Sequence, residues 1–377
     1  MDSDLTPDQK TFRDTTRDFL SKTSSSRQIR ALADSGAGID RAWWSQGAEL
    51  GWTAMLVPEA LGGGTVSGEP LRDLCLVAAE FGRTCAPGPL LATSAVLTAL
   101  AAAGERHAGT IEAVMSGESL AGWAFYEPAR GWDSAVPGTV ADPLPDGGFA
   151  LTGTKDRVEA GDSADLFLVT AHSPEGPVQV LVPRGTPGVS VTPSWSLDAT
   201  RRFASITFAG AAVPPGAVVQ RGEAARAAVE AQLHNTALLA AAEMTGALQA
   251  MFDVTVQWMF DRYTFGRPLA SYQALKHRMA DNKTALEACL ATVSGAARAL
   301  DSDAPDAAEM VSIAKAYVGD KVPAILQDFV QLHGGLGVTW EHDLHLYLRR
   351  AACDRALYGT PDDHRQRIAA TLEGKAA

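Results

Sequence analysis

Apolar and polar positions along the chain fall into three regimes. The first is helical. Leu5-Thr6-Pro7-Asp8-Gln9 has the form of a helix start: Thr6 caps, Pro7 takes the first helical position and Gln9 completes a capping box. Phe12, Thr16 and Phe19 then line one face. Trp43-Trp44 to Trp52, followed by Met55-Leu56-Val57-Pro58 and a glycine run ending at Gly64, predicts a helix, a short apolar crossing and a turn. Residues 70–85 and 88–103 read as two further helices, so an all-helical domain is expected over residues 1–119.

The second regime, residues 120–221, is rich in Gly, Pro, Val and Thr. Short apolar runs (Gly148 to Thr152, Leu166 to Thr170, Val178 to Val182, Phe203 to Phe208) alternate with turn clusters. They predict a small antiparallel β-barrel or sandwich. In the third regime, residues 222–377, helical periodicity returns. Helices are expected over Glu223–Arg262, Gln273–Leu300, Pro305–Gly319, Lys321–Leu332 and Glu341–Tyr358. Long antiparallel helices imply a four-helix bundle. Their wide apolar faces suit a bundle that also packs on a partner. The expected fold is therefore α+β and multidomain.

Composition narrows the function classes. The 377 residues are 46% hydrophobic and 20% charged, as for a globular protein with a real core. A net charge of −12 argues against nucleic-acid and anionic-membrane binding. The acidic opening, without an apolar segment, predicts no signal peptide, and the Ala-rich run at 91–103 is too short to span a bilayer. Cys75, Cys85, Cys289 and Cys353 form no C-x-x-C pair. Buried free thiols in a reducing cytoplasm are expected, with a Cys75–Cys85 bridge as the alternative.

Two stretches carry candidate chemistry. The first is Arg262-Tyr263-Thr264-Phe265-Gly266-Arg267-Pro268, followed by Gln273. It sets a cationic fork at a helix end, and arginine holds a pyrophosphate bidentately. The second is Gln331-Leu332-His333-Gly334-Gly335-Leu336-Gly337, where glycines allow close backbone approach. Either alone is compatible with an ordinary helix end.

Together, in this order, they resemble the C-terminal domain of the acyl-CoA dehydrogenase family of flavoproteins, and helix, β, helix is that family's architecture. The Trp43-to-Gly64 segment is similar to a structural phrase of its N-terminal domain. The resemblance implies FAD, held by Arg262, Thr264, Phe265, Gly266, Gln273, Gln331, Gly334, Gly335 and Thr360. It also implies an acyl-CoA substrate and electron-transfer flavoprotein as acceptor.

The family removes the Cα proton of a thioester with a carboxylate while a hydride leaves Cβ for the flavin. Most members place a Glu before a Gly-Thr pair. An ungapped count from Gln331 puts Tyr358 there, before Gly359-Thr360. A phenol is a poor base for this step. A minority place the Glu on the first long C-terminal helix, and that position is Thr236. The substrate-holding Arg that usually follows is Ala237. Glu243 lies on the same helix face, about 10 Å further along the axis. It is weighed both as a substitute base and as a packed helix residue. Asp362 and Asp363 read as first-turn acids of a final helix.

The β domain departs from the family pattern too. Its flavin-facing loop is Tyr126-Glu127-Pro128-Ala129-Arg130-Gly131-Trp132-Asp133, with Tyr126 and Trp132 where hydroxyls are usual. In Gly153-Thr154-Lys155-Asp156-Arg157-Val158-Glu159, Arg157 replaces the flavin-stacking Trp and Glu159 replaces the Thr near flavin N5. Leu197 to Arg202 resembles actinobacterial, steroid-degrading members, some built from two unlike subunits. The pattern thus implies a FAD-binding subunit whose partner, a paralogous chain, brings the base. Left open are a homo-oligomeric enzyme with an unrecognised base, a flavin monooxygenase on the same fold, and a non-catalytic scaffold.

Overall fold

The computed structural model describes residues 5–36, 38–132 and 137–376. Asp133 lies outside them. Six helices come first: α1 (Pro7–Thr23), α2 (Ser26–Ser35), α3 (Arg41–Glu49), α4 (Pro70–Thr84), α5 (Leu90–Ala103) and α6 (Ala108–Met115). Eight strands follow: β1 (Ala121–Ala124), β2 (Val140–Pro143), β3 (Phe149–Glu159), β4 (Leu166–Ser173), β5 (Gly176–Pro183), β6 (Val189–Ser194), β7 (Phe203–Val213) and β8 (Val218–Arg221). Then come α7 (Gly222–Asp261), a hairpin of β9 (Tyr263–Thr264) and β10 (Arg267–Pro268), α8 (Gln273–Asp301), α9 (Ala307–His333), α10 (Leu344–Ala356) and α11 (Pro361–Ala376).

The chain divides into two compact units. One comprises Leu32–Pro70 and Pro87–Thr236. Its sheet runs β6-β7-β3-β2-β4-β5-β8, with β1 added on β4. The pairing is mostly antiparallel, but β4 pairs in parallel with β1 and β2. The expected barrel does not close, because β6 and β8 are free edges. β6 is exposed or half-buried throughout and carries Pro193, which cannot donate to a further strand. Phe149, Leu151, Val169, Val180, Ile206 and Phe208 belong to the buried core. β4 and β5 are buried on both faces, which is why they read as continuous apolar runs rather than alternating ones.

The other unit comprises Met1–Ala31, Leu71–Ala86 and Ala237–Ala377. The Thr6–Gln9 capping box forms as the sequence predicts, and the Gln9 amide also donates to Asp73 Oδ1 at 2.8 Å. α4 and α7 pack so closely that a Cβ on Gly82 would lie 1.8 Å from the Glu243 carbonyl, and one on Gly246 1.8 Å from that of Ala79. α9 is one helix where two were expected. Pro323 forgoes one backbone bond, but buried Val318, Val322, Ile325 and Leu326 hold the helix through it. α10 starts at Leu344 rather than Glu341. Arg30 donates to the carbonyls of Trp340 (2.5 Å) and His342 (3.3 Å) and to Asp343 Oδ1 (2.8 Å), fixing those residues outside the helix. None of the four cysteines is in a disulfide, so no Cys75–Cys85 bridge forms.

Candidate functional site

α7 ends at Asp261, and Arg262 leads into the β9–β10 hairpin. Phe265 and Gly266 form its tip with φ of +48° and +80°, the positive pair that a two-residue hairpin of the I′ kind requires. Thr264 pairs with Arg267, and the Tyr272 hydroxyl donates to the Thr264 carbonyl at 2.8 Å. Phe265 is 96% exposed. Among the described residues no acid pairs with Arg262, whose guanidinium lies 5.8 Å from the centroid of the Trp258 ring. Gln273 opens α8 and is exposed.

The second stretch is the C-terminal end of α9. Gln331 is exposed there, and Gly334 turns the chain with φ of +61° into a 3-10 turn over Gly334–Val338. The Trp258 indole donates to the Leu332 carbonyl at 3.2 Å, so the structure brings the two stretches together. Thr360 is elsewhere. Its loop is fastened to α9 at Lys315, about 24 Å along the helix axis from Gln331.

That loop is the position of the family base. Tyr358 is buried with φ of +56°, and Gly359 follows at +93°. Lys315, wholly buried, donates to the carbonyls of Gly359 (2.7 Å) and Arg355 (3.2 Å). His364 contacts the Tyr358 carbonyl at 2.9 Å and Ser312 Oγ at 3.2 Å. Burial draws the Lys315 amine down to about 7, against the pull of Asp354, and draws His364 down to about 3. Asp363 caps Thr360, accepting from its amide at 2.8 Å and its hydroxyl at 2.7 Å. Asp363 is thus engaged as a helix-start acid, as its position in the sequence suggests.

Thr236 is buried, its hydroxyl donating to the Gln232 carbonyl at 2.7 Å. Glu243 is buried against Arg350, which also donates to the Ala86 carbonyl at 3.2 Å. The carboxylate is thus part of a buried ion pair.

In the sheet unit, Glu127 accepts from Lys155 Nζ (2.6 Å) and from the backbone amides of Thr139 (2.8 Å) and Gly138 (2.5 Å). Burial works to raise its carboxyl, but Lys155 and these donors prevail and hold it at about 2. Burial brings Lys155 down to about 8. A bulge between Lys155 and Val158 places Arg157 at φ +49°, its guanidinium 4.6 Å from the centroid of the Tyr126 ring. Glu159 is buried and accepts from Arg201 at 2.8 Å.

Sequence comparison adds the decisive observation. Residues 6–110 match the acyl-CoA dehydrogenase N-terminal domain, and residues 225–373 match the acyl-CoA dehydrogenase C-terminal domain. The chain is 32% identical over 370 residues to the acyl-CoA dehydrogenase IpdE2 of Mycobacterium tuberculosis, covering 97% of this chain and 98% of that one. It belongs to the acyl-CoA dehydrogenase family. As such it is an FAD-dependent oxidoreductase acting on acyl-CoA.

Two solved structures share the fold of this acyl-CoA dehydrogenase. One is described as the Tcur3481-Tcur3483 steroid acyl-CoA dehydrogenase, at 27% identity and TM-score 0.87, covering 98% of this chain and 99% of that one. The other is the ChsE4-ChsE5 complex from Mycobacterium tuberculosis, at 24% identity and TM-score 0.86, covering 99% of each chain.

The residues of the helical unit fit a flavin's diphosphate. Arg262 is an exposed cation. A Cβ on Gly335 would meet nothing within 4 Å, so packing within the chain does not demand a glycine there. The sheet unit fits less well: Arg157 and Glu159 offer neither a stacking indole nor a hydroxyl. Sequence reasoning missed Arg350, Lys315, His364 and Trp258. Lys315 had a readable signal, since it shares the apolar face of α9 with Val311, Ser312 and Val318.

Proposed function

We propose that this acyl-CoA dehydrogenase works as one subunit of a heteromer. It lends Arg262, Thr264, Phe265, Gln273, Gln331, Gly334 and Gly335 to an FAD whose ring surroundings and catalytic base come from a paralogous partner. FAD, when bound, accepts the hydride. This chain's residues hold the diphosphate and screen the nucleotide from water. The observation that carries the reading is the missing carboxylate: Tyr358 and Thr236 occupy both family positions, and Glu243 is engaged by Arg350. Two fold relatives described by paired names, Tcur3481-Tcur3483 and ChsE4-ChsE5, support the two-subunit reading. The first is described as a steroid enzyme, which supports a bulky, steroid-derived acyl chain as substrate. Electron-transfer flavoprotein is the proposed acceptor.

The test is flavin bleaching by fatty and steroidal acyl-CoAs. This chain alone should show only background turnover, since a general base contributes about 10²–10⁴-fold. Co-expression with a Glu-bearing paralogue should give activity that is lost when that Glu is removed and little changed by Tyr358→Phe. Rapid bleaching by this chain alone, abolished by Glu243→Gln, would overturn the proposal.

A further inference from the structure

The two nucleotide-facing stretches come from parts of the chain 74 residues apart, joined by the hydrogen bond from Trp258 to Leu332. Trp258 makes three different contacts. Its Nε1–H donates to the Leu332 carbonyl at 3.2 Å. Its ring lies flat on that of His333, with centroids 5.2 Å apart and planes 17° from parallel. Its other interaction is with Arg262, one helical turn on, whose guanidinium sits 5.8 Å from the ring centroid and whose amide donates to the Trp258 carbonyl at 2.9 Å. His333 is itself fixed. Its Nδ1 meets the Phe329 carbonyl at 2.9 Å, the His342 ring lies 4.5 Å away, and its buried Nε2 has no hydrogen-bond partner among the described residues. Burial lowers its pKa.

Among aromatic side chains only indole combines so large a flat face with an edge N–H donor and no competing acceptor. Here the face serves His333 and Arg262, while the edge serves Leu332. We propose that Trp258 is a positioning residue that locks the Arg262 hairpin to the Gln331–Gly335 turn, so that both meet a single dinucleotide. The inference rests on the reading that this arm holds FAD. The lock itself is a property of the chain, observable without flavin.

The experiment measures amide hydrogen exchange in residues 262–272 and 331–340, thermal unfolding, and FAD affinity in the assembly the chain forms. Trp258→Ala should speed exchange in both segments together and weaken FAD by about tenfold, an amount typical of one lost charge-assisted contact. Trp258→Phe, which keeps the stack and loses the donor, should recover part of both effects. A purely structural indole would lower the unfolding temperature without opening these two segments selectively. Should Trp258→Ala not fold, Trp258→Phe against His333→Ala carries the same test, each opening both segments. The lock is refuted if the 331–340 segment is unaffected, or if Trp258→Phe is no better than Trp258→Ala. Arg262→Ala is measured alongside. If it leaves FAD affinity unchanged, the flavin reading fails, while the exchange result still decides the lock.

Discussion

Arg262 and Glu243 illustrate how burial separates a solvent-facing charge from a structural one. Arg262 is exposed at a helix end with an aromatic ring beneath it and no acid beside it among the described residues. Such a cation is available to a diphosphate. Arg262→Ala should weaken FAD binding about ten- to a hundredfold, read as flavin retention in the purified assembly. Glu243 is the opposite case. Buried with Arg350, it is engaged in an ion pair. Removing one partner leaves a buried charge uncompensated, so Arg350→Met should cost about 3–5 kcal/mol of stability, read from urea unfolding. An unchanged midpoint would show that the pair is not held as described.

At the scale of elements, the loop Leu357–Thr360 is held at its backbone carbonyls and at the amide and hydroxyl of Thr360. Lys315 and His364 take the carbonyls of Arg355, Tyr358 and Gly359, and Asp363 caps Thr360. Tyr358→Glu should not restore turnover, because Ala237 still fails to hold the substrate, and flavin bleaching by acyl-CoA checks this.

The clamp has a pH signature. Lys315 titrates near 7 when folded, well below an ordinary lysine, so the unfolded chain binds the extra proton between the two values. Stability from this group therefore rises as pH climbs above 7, and is lowest below it. The rise should be missing in Lys315→Met, measured as the difference in urea midpoint between the two proteins from neutral pH upward. His364 adds a second window. Its contribution falls as pH drops from the ordinary histidine range toward 3.

At the scale of the whole molecule, the helical unit exposes Phe260, Tyr263, Phe265, Val338 and Trp340, and the sheet unit exposes Trp195. Large apolar side chains rarely stay exposed in such numbers without a partner. In the helical unit they stand on or beside the Arg262 and Gly334 stretches. We therefore expect association, a dimer at least, and a dimer of heterodimers when the paralogue is present. Light scattering at micromolar concentration checks this, and a stable monomer would contradict it. Replacing Phe265 and Trp340 by Ser should shift the assembly toward monomer while leaving the helical content unchanged. Among the described residues no helix is long and apolar enough to cross a membrane.

Local chemistry made much of this legible in the sequence. The Thr6 capping box, the strand runs and the long α7 follow from rules acting within a few residues, and all formed as read. The Arg262 and Gly334 stretches were legible because glycine and arginine are constrained by backbone approach and charge. The tertiary structure decided what depends on distant neighbours. Whether the sheet closes rests on its two edges, which no single strand encodes. That α9 continues through Pro323 rests on a buried face strong enough to outweigh one lost hydrogen bond. That Glu243 sits in a buried ion pair rests on Arg350, far along the chain, because a carboxylate's surroundings are set by what folds against it.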